Sequence, residues 1–449
     1  MLIAASVANF AINIDFFAVQ ATLPPMARDL DTTVTDLQWV ISGYMLALAS
    51  CLIVGGRLAD LLGRRTFLII GTAIFGVASL AAGLSATAEM VILMRIVQGV
   101  GAAILFPVAL AVVTNAFPPE KTQRAVGLVF ALAAVGQALG PLVGGALTEL
   151  LSWRWVFFVN VPVAGAVIVL TLLSIDESRD ETVPRTIDWP GLVLIVGSIA
   201  TFTYGIDRAS DWGWTAPATR GLVTTGSVGL VAFVLVESRA AAPLLDLALF
   251  KIRVFSLMIT AGAIGNVAAV VTIFLSMIFL QDVEGFTTLE AGTAFLAFSL
   301  AMTAVNQFAG RLERFPAWAV MTVALLVGGL GTIGMGLVDT LALFMFSSAF
   351  SGAGLGLCWA FASVVTQAAV PQQKAGEASG TVLTMLIGCG GVAIAVAASL
   401  IDTATDTAAQ LGDSLDALLV GFGLLAIAYA PMVVVLGRSR HTTPESVPC

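Results

Sequence analysis

Residues 8–25, ANFAINIDFFAVQATLPP, form an apolar run that carries one carboxylate, Asp15. A helix in water would tolerate this side chain without cost, whereas a helix that crosses a bilayer would not. Similar runs of about 20 residues, the length that spans the hydrocarbon of a membrane, recur along the chain. The first question is therefore which solvent surrounds these runs.

The composition answers that question. Of 449 residues, 59% are hydrophobic and 11% are charged, and the mean hydropathy is +1.01. Soluble domains carry about 25% charged residues, so a large soluble protein is a poor explanation. A membrane barrel needs alternating segments of about 10 residues, and these runs are longer and continuously apolar. The sequence predicts an all-α polytopic membrane protein with helices near 3–25, 36–56, 66–86, 90–116, 123–147, 155–175, 189–206, 218–237, 254–281, 289–309, 317–337, 340–367, 377–400 and 416–437.

The basic residues orient these fourteen predicted helices. Fifteen of the 20 Lys and Arg residues fall on the side of both termini, four fall on the other side, and Arg95 lies inside a helix. By the positive-inside rule, the side with fifteen is cytoplasmic. The excess of Arg over Lys favours a bacterial source. We therefore expect a multi-pass protein of a bacterial plasma membrane with both termini in the cytoplasm.

A weak internal repeat divides the chain. GRLADLLGRR begins at Gly56 and GRLERF begins at Gly310, each after the second helix of a set of six. The predicted division is a six-helix bundle at 1–175, a linker with two extra helices at 176–253, a second six-helix bundle at 254–437 and a cytoplasmic tail at 438–449. Paired halves with a site between them at the midplane are typical of transporters.

The segment GRLADLLGRR is predicted to form a short cytoplasmic loop. Gly56 and Gly63 would permit a tight turn between closely packed helices. Asp60 could cap the following helix and pair with Arg64, and with Arg65 this cluster could hold the cytoplasmic face shut. A loop whose charges only orient the protein in the membrane is the alternative.

The motifs resemble those of one transporter family, the major facilitator superfamily. The spacing G-x-L-A-D-x-x-G-R-R resembles its signature loop. The segment RIVQG, from Arg95, is similar to its helix 4 motif, and the segment GQALGPLVGG, from Gly136, is similar to its antiporter motif in helix 5. WRWVFFVNVP, from Trp153, resembles a segment of its fourteen-helix drug/proton antiporters, and PLLDLALFKIRVF, from Pro243, their entry to helix 9. Covering nearly the whole chain, the resemblance implies two six-helix bundles with two extra central helices between them.

The helix 5 motif also has a physical explanation. Its glycines leave one face of the helix without side chains, which lets another helix approach closely. Proline removes a backbone donor and bends the helix. Such a face suits two halves that rock against each other, although static packing would use the same residues. The motif positions are Gly136, Gly140, Pro141, Gly144 and Gly145.

Two charged residues inside helices are the candidate proton-coupling pair. Asp15 lies near the predicted midplane and, as in the family's helix 1 motif, nine residues before Pro24, although Gln20 stands where relatives often carry Asn. An intramembrane acid is a functional candidate by default. Arg95 would face a wet cavity and tune this acid. The alternatives are a structural acid and an arginine that reaches for the membrane surface.

Polar and aromatic residues inside helices are candidates for the substrate cavity. No second acid is clearly buried, so the substrate's charge stays open. No spacing suggests a metal site. The cavity candidates are Asn13, Phe16, Phe17, Tyr44, Gln98, Phe130, Gln137, Asn266, Asn306, Gln307, Trp359 and Gln367.

The resemblance and the residues together predict a proton-coupled antiporter that exports amphipathic small molecules or drugs by alternating access. The expected partners are a lipophilic small molecule, protons and membrane lipid, without nucleic acid, and the protein is expected to act as a monomer. No cofactor is expected, since the proton gradient supplies the energy. An exporter of one metabolite, peptide or lipid is the nearest alternative. A membrane-embedded enzyme is disfavoured because no histidine lies in the spans, and a receptor or scaffold stays open.

Overall fold

The computed structural model describes residues 1–179, 188–240, 243–245, 247–338, 340–370, 375–402 and 408–438. Over these residues the chain is helical and contains no strand. Fourteen helical segments in them are long and apolar enough to cross a membrane, which confirms the predicted number. The helices are α1 Leu2–Ala21, α2 Leu23–Asp29, α3 Trp39–Leu62, α4 Arg64–Gly83, α5 Ala88–Ala116, α6 Pro119–Leu150, α7 Arg154–Phe158, α8 Asn160–Ser174, α9 Trp189–Asp207, α10 Ala209–Trp212, α11 Pro217–Glu237, α12 Arg253–Ile278, α13 Thr288–Ala294, α14 Leu296–Asn306, α15 Ala317–Met335, α16 Leu341–Ala368, α17 Ala375–Asp402 and α18 Ala408–Arg438.

The helices pack in two groups. In the first, α1 lies along α6, α3 lies along α5, and α4 packs between α5 and α8. In the second, α12 packs against α16, α17 and α18, while α15 packs against α16 and α18. The exact division at residues 175, 253 and 437 stays a prediction, and the tail from 439 onward lies outside the described residues.

The two extra helices form a pair at one side of the molecule. The helix α9 packs along α11 and also contacts α3 of the first group and α17 of the second. It therefore lies where the two groups meet.

The groups also meet through α6, which packs against α13 and α14. Near the ends of α1 and α6, polar contacts join the groups. The side chain of Gln281 donates to the carbonyl oxygen of Ala21 at 2.9 Å, and the amide of Leu289 donates to the carboxylate of Glu149 at 3.0 Å. Arg28 and Asp282 form an ion pair at 3.1 Å beside them.

Three predicted helices have different ends in the structure. The first predicted helix, 3–25, stops at Ala21, and Pro24 and Pro25 lie in the first turn of α2, where a missing backbone donor costs little. The predicted helix 289–309 is interrupted at Phe295 and ends at Asn306. The last helix begins at Ala408 rather than at residue 416.

Candidate functional site

The two charged residues that the sequence places inside spans lie together. Asp15 on α1 is 1% exposed and Arg95 on α5 is fully buried. The Nη1 atom of Arg95 donates to Oδ2 of Asp15 at 2.6 Å. Each charge is therefore compensated at short range, which is what makes a charge tolerable at this depth.

The second carboxylate oxygen of Asp15 accepts two amide donors. The side chain of Gln98 donates to Oδ1 at 3.1 Å, and the side chain of Asn160, at the start of α8, donates at 2.6 Å. The carboxylate is thus held by three donors that come from two other helices, α5 and α8.

Arg95 is fixed by further contacts. Its Nε atom donates to the carbonyl oxygen of Val40 at 2.9 Å, and its Nη1 atom also donates to Gln98 at 2.8 Å. The guanidinium carbon lies 4.1 Å from the ring centroid of Tyr44, a distance at which cation–π attraction is favourable. Full burial shows that the expectation of a wet cavity at Arg95 is wrong, because Asp15, Tyr44 and the backbone of α3 enclose it.

Two polar atoms of this cluster remain without a hydrogen bond within the described part of the chain, Nη2 of Arg95 and the hydroxyl of Tyr44. An unpaired buried donor costs about 1–3 kcal/mol. The paired state therefore leaves donors that a water molecule or a rearranged carboxylate would satisfy.

The segment that begins at Trp153 ties this cluster to the end of the bundle. Trp153 and Arg154 both donate to Oδ2 of Asp29, at 3.0 and 2.5 Å. The hydrogen bonds from Arg154 and then from Trp153 lower the pKa of Asp29 below its usual range. Seven residues along the chain from Trp153, Asn160 reaches both Asp15 and the hydroxyl of Ser79, the latter at 3.0 Å.

The signature segment is not the predicted loop. The helix α3 continues through Leu62, so Gly56 lies inside a helix, and Gly63 alone makes the turn with a φ of 132°. No helix-breaking residue stands between Gly56 and Gly63, so nothing ends the helix earlier. The predicted ion pair is present, since Nε of Arg64 lies 2.7 Å from Oδ1 of Asp60.

Glu177, rather than Asp60, caps the helix that follows. Its carboxylate accepts the backbone amides of Arg65 and Thr66 at 3.0 and 3.2 Å and the hydroxyl of Thr66 at 2.5 Å. Burial disfavours the charged form of Glu177, but these hydrogen bonds outweigh burial and lower its pKa. A Cβ atom on Gly63 would lie 2.5 Å from the Glu177 carboxyl carbon, so the turn requires glycine for both its backbone angle and its space.

The antiporter motif forms two contact surfaces on α6. Added Cβ atoms on Gly136 and Gly140 would lie 2.9 Å from the carbonyl oxygen of Phe10 and 2.5 Å from the Cβ of Phe17, both on α1. Gly144 continues this face against Ala18. Gly145 instead meets the second group, where an added Cβ would lie 2.5 Å from the carbonyl oxygen of Thr288. One face of the motif therefore packs against α1, and the neighbouring face packs against the second group of helices.

Four of the residues predicted to line the substrate cavity are buried within the protein. Tyr44 and Gln98 belong to the cluster around Asp15. Phe17 is buried against α6, and the buried amide of Asn266 donates to the carbonyl oxygen of Leu386 at 2.6 Å. Phe17, Gln98 and Asn266 are thus occupied by contacts within the protein, whereas Tyr44 is buried with an unbonded hydroxyl group.

The remaining candidates are more accessible. Gln137 is nearly buried, and its amide lies 3.1 Å from the sulfur of Met302 across the two groups. The half-buried candidates are Asn13, Phe16, Asn306 and Trp359, and the exposed ones are Phe130, Gln307 and Gln367.

Three contributors to the site were missed by the sequence predictions. Asn160 is an isolated amide within an apolar span, in a segment whose resemblance had been noted, so its position could have marked it. Ser79 gave no signal, because a serine in a helix commonly bonds its own backbone. Glu177 lies beyond the end of a predicted span, where an acid is unremarkable.

Comparison with known proteins places the chain among transporters. The family profile described as Major Facilitator Superfamily matches residues 5–396. The chain is 33% identical over 385 residues to "Multidrug resistance protein Stp" of Mycobacterium tuberculosis, covering 84% of this chain and 71% of that protein. It is 30% identical over 457 residues to "Cephamycin export protein CmcT" of Amycolatopsis lactamdurans, covering 99% and 94%.

A solved structure shares the fold. A bacterial homologue of the human lysosomal transporter Spinster, in an inward-facing and unoccupied conformation, superposes with a TM-score of 0.68 over 97% of this chain and 96% of that one. The sequences are 16% identical, so this likeness concerns the fold alone.

Proposed function

The chain belongs to the major facilitator superfamily, and from that premise we propose that it exports amphipathic, lipophilic small molecules in exchange for protons. Two relatives are named for multidrug resistance and for the export of cephamycin, an observation that supports this proposal. The finer assignments are the coupling ion, the residues that bind it and the direction of exchange. The contacts of Asp15 and the distribution of basic residues support them.

One observation carries the proton coupling. Asp15 is a carboxylate that is 1% exposed in a membrane-spanning helix, and it is held by Arg95, Gln98 and Asn160. A buried acid whose ionised form depends on contacts from other helices changes its proton affinity when those helices move. Such a group can bind a proton in one arrangement of the bundle and release it in another.

The orientation follows from the basic residues. With fifteen of them on the side of the termini, the end that carries Asp60 and Arg64 is assigned to the cytoplasm. The end that carries Asp29 and Arg28 then faces outward. In this orientation the contacts of Gln281 and Leu289 join the two groups of helices on the outer side. A substrate would therefore enter from the cytoplasm or from the inner leaflet.

The transport cycle then uses the proton gradient alone. Asp15 takes a proton when the site is open to the outside and releases it to the cytoplasm, where substrate binds. The cluster of Asp60, Arg64 and Arg65, with Gly56 and Gly63, is assigned to the cytoplasmic gate. No cofactor or catalytic step is needed, and one copy of the chain contains every assigned residue.

Purified protein in liposomes that contain a pH-sensitive dye tests the proposal. A panel of lipophilic cations and neutral compounds is added to the parent and to Asp15→Asn. We expect at least one compound to drive proton movement in the parent and none in the variant. Equal proton movement in Asp15→Asn would remove Asp15 from the coupling, and no movement with any compound would remove drug export.

Export of a single compound is the second candidate. A relative that matches 99% of this chain is named for the export of cephamycin, so one defined product is a realistic substrate for this architecture. The same panel separates the two candidates, because a specific exporter moves protons with one chemical class and a drug exporter moves protons with several unrelated ones.

A further inference from the structure

The two extra helices carry a pair of facing carboxyl groups. Asp188 precedes α9, and its Oδ1 atom accepts the backbone amide of Gly191 at 2.8 Å. Glu237 ends α11, is 2% exposed, and its Oε1 atom accepts the backbone amide of Leu245 at 2.5 Å. Each residue thus uses one oxygen to hold backbone.

The other two oxygens point at the same place. A Cβ atom built on Gly191 would lie 2.5 Å from Oδ2 of Asp188 and 2.8 Å from Oε2 of Glu237, so the two oxygens cannot be farther apart than the sum of these distances. In the described chain both oxygens are buried and neither has a hydrogen-bond partner. Two ionised carboxylates would repel each other here without compensation, so the arrangement requires one proton between them.

Among the described residues, no cation is hydrogen-bonded to either of these two oxygens. Asp188, at the start of α9, is the charged side chain that acts on Glu237, whereas Asp207 lies at the far end of that helix. Arg239, just beyond α11, is exposed and lines the surface depression beside Asp188. Arg57 on α3, the third neighbouring element, is engaged in a contact of its own.

The pair holds the segment that joins the two halves. Leu244 and Leu245 are buried with Phe233 of α11 and Val54 of α3, and Leu58 packs against this cluster. Val54 lies two residues before the signature segment. The hydrogen bond from Leu245 to Glu237 therefore fixes the segment between α11 and α12 against α3. This segment lies next to the assigned gate.

We propose that Asp188 and Glu237 form a second proton-binding site. One proton shared by the two carboxyl groups anchors the segment between α11 and α12 to the two extra helices. When that proton leaves, the two charges separate, Glu237 turns towards water, and the amide of Leu245 loses its acceptor. The assignment of the end with Asp188 and Glu237 to the cytoplasm rests on the proposed function. The proton-binding site does not depend on that function.

Hydrogen exchange of the Leu245 amide, followed by mass spectrometry on the full chain in nanodiscs from pH 6 to pH 9, tests this. Glu237→Gln is the reference at each pH, because glutamine can accept from Leu245 and donate to Asp188 whatever the pH, and the intrinsic pH dependence of exchange cancels. A hydrogen bond to a charged acceptor stabilises by about 1.5–3 kcal/mol. We therefore expect the parent to match the variant at pH 6 and to exchange at least about tenfold faster at pH 9. A ratio that stays constant over this range would overturn the proposal.

Two glycine variants of α9 provide a matched pair. Gly191→Ala places a methyl group between the two carboxyl groups, so we expect fast exchange at Leu245 at every pH. Gly197→Ala lies on the same helix, where an added Cβ meets nothing within 4 Å, and should behave as the parent. Unchanged exchange in Gly191→Ala would show that the pair does not hold the linker. Hydrogen exchange in α1 shows whether each variant is folded. If Glu237→Gln is not folded, Asp188→Asn serves as the reference instead.

No substrate is needed for these measurements. A failure of drug-driven proton movement in liposomes would therefore leave this proposal standing, and a constant exchange ratio would leave the role of Asp15 standing.

Discussion

Replacing Asn160 with alanine removes one of the three donors that hold the Asp15 carboxylate. The lost contact is the amide hydrogen bond at 2.6 Å to Oδ1. The contacts from Arg95 and Gln98 remain, so the carboxylate keeps its position with one donor fewer. The variant therefore tests how much a contact from a neighbouring helix contributes to the proposed proton coupling.

The magnitude follows from the chemistry of this bond. A hydrogen bond to a charged group stabilises by about 1.5–3 kcal/mol, and about 1.4 kcal/mol corresponds to a factor of ten in a rate. The loss of this bond should therefore slow substrate-driven proton movement by about tenfold or more, since the contact belongs to the arrangement through which the proposed cycle passes.

Purified Asn160→Ala in liposomes that contain a pH-sensitive dye measures this rate directly, with the parent and Asp15→Asn as references. The amount of folded protein in each preparation is determined by size-exclusion chromatography, and the rates are compared per folded molecule. The readout therefore responds to transport rather than to the amount of folded protein.

Two further variants separate a hydrogen-bond effect from a packing effect. Asn266→Ala removes a buried amide of the same kind that binds the carbonyl oxygen of Leu386 and not Asp15, so it should lower stability with a much smaller effect on the rate. Ser79→Ala removes another partner of Asn160 and should change the rate little. A rate in Asn160→Ala equal to that of the parent would refute the reasoning, and an equal loss of rate in Asn266→Ala would show that the effect is general loosening.

Three other predictions concern the helix contacts. Gly145→Ala should abolish or strongly slow transport, because the added Cβ would lie 2.5 Å from a carbonyl oxygen of the other half, whereas Gly127→Ala on the same helix meets nothing within 4 Å and should transport normally. Gly63→Ala should lower the thermal unfolding midpoint more than Gly213→Ala, since both have positive φ but only Gly63 also has a close neighbour. Glu177→Gln should destabilise the protein at pH 7. Because hydrogen bonds lower the pKa of Glu177 from its usual value of 4.5, the difference from the parent should vanish as the pH falls through the lowered value, and a difference that stays constant on acidification would contradict the role of its charge.

The pairing of Asp15 with Arg95 was within reach of the sequence. Two opposite charges in apolar spans each carry a large desolvation cost, and mutual contact is the cheapest way to reduce it. The number of spans was equally accessible, because a run of about 20 apolar residues has few other uses. These features depend on composition, which the sequence states outright.

The contacts that complete the site depend on geometry that composition does not contain. Asn160 could have bonded its own helix, as the side chain of Asn13 does with the carbonyl oxygen of Asn9 at 2.9 Å. The error at the signature segment has a related cause. Its charges suggested a loop, but charges at the end of a membrane helix can also lie on helical turns beyond the apolar core, so only Gly63 marks the true end of α3.

The same geometry links proton binding to movement of the helices. The donors to Asp15 come from α5 and α8, so a shift of either helix relative to α1 changes the contacts of the carboxylate. In the proposed antiport, the arrangement of these helices and proton binding at Asp15 are coupled, and by thermodynamic linkage each favours the other by the same free energy. The glycine face of α6 along α1 allows α1 to approach α6 closely. An acid inside an otherwise apolar helix suits the proposed antiport, since the partners of its carboxylate come from other helices of the bundle.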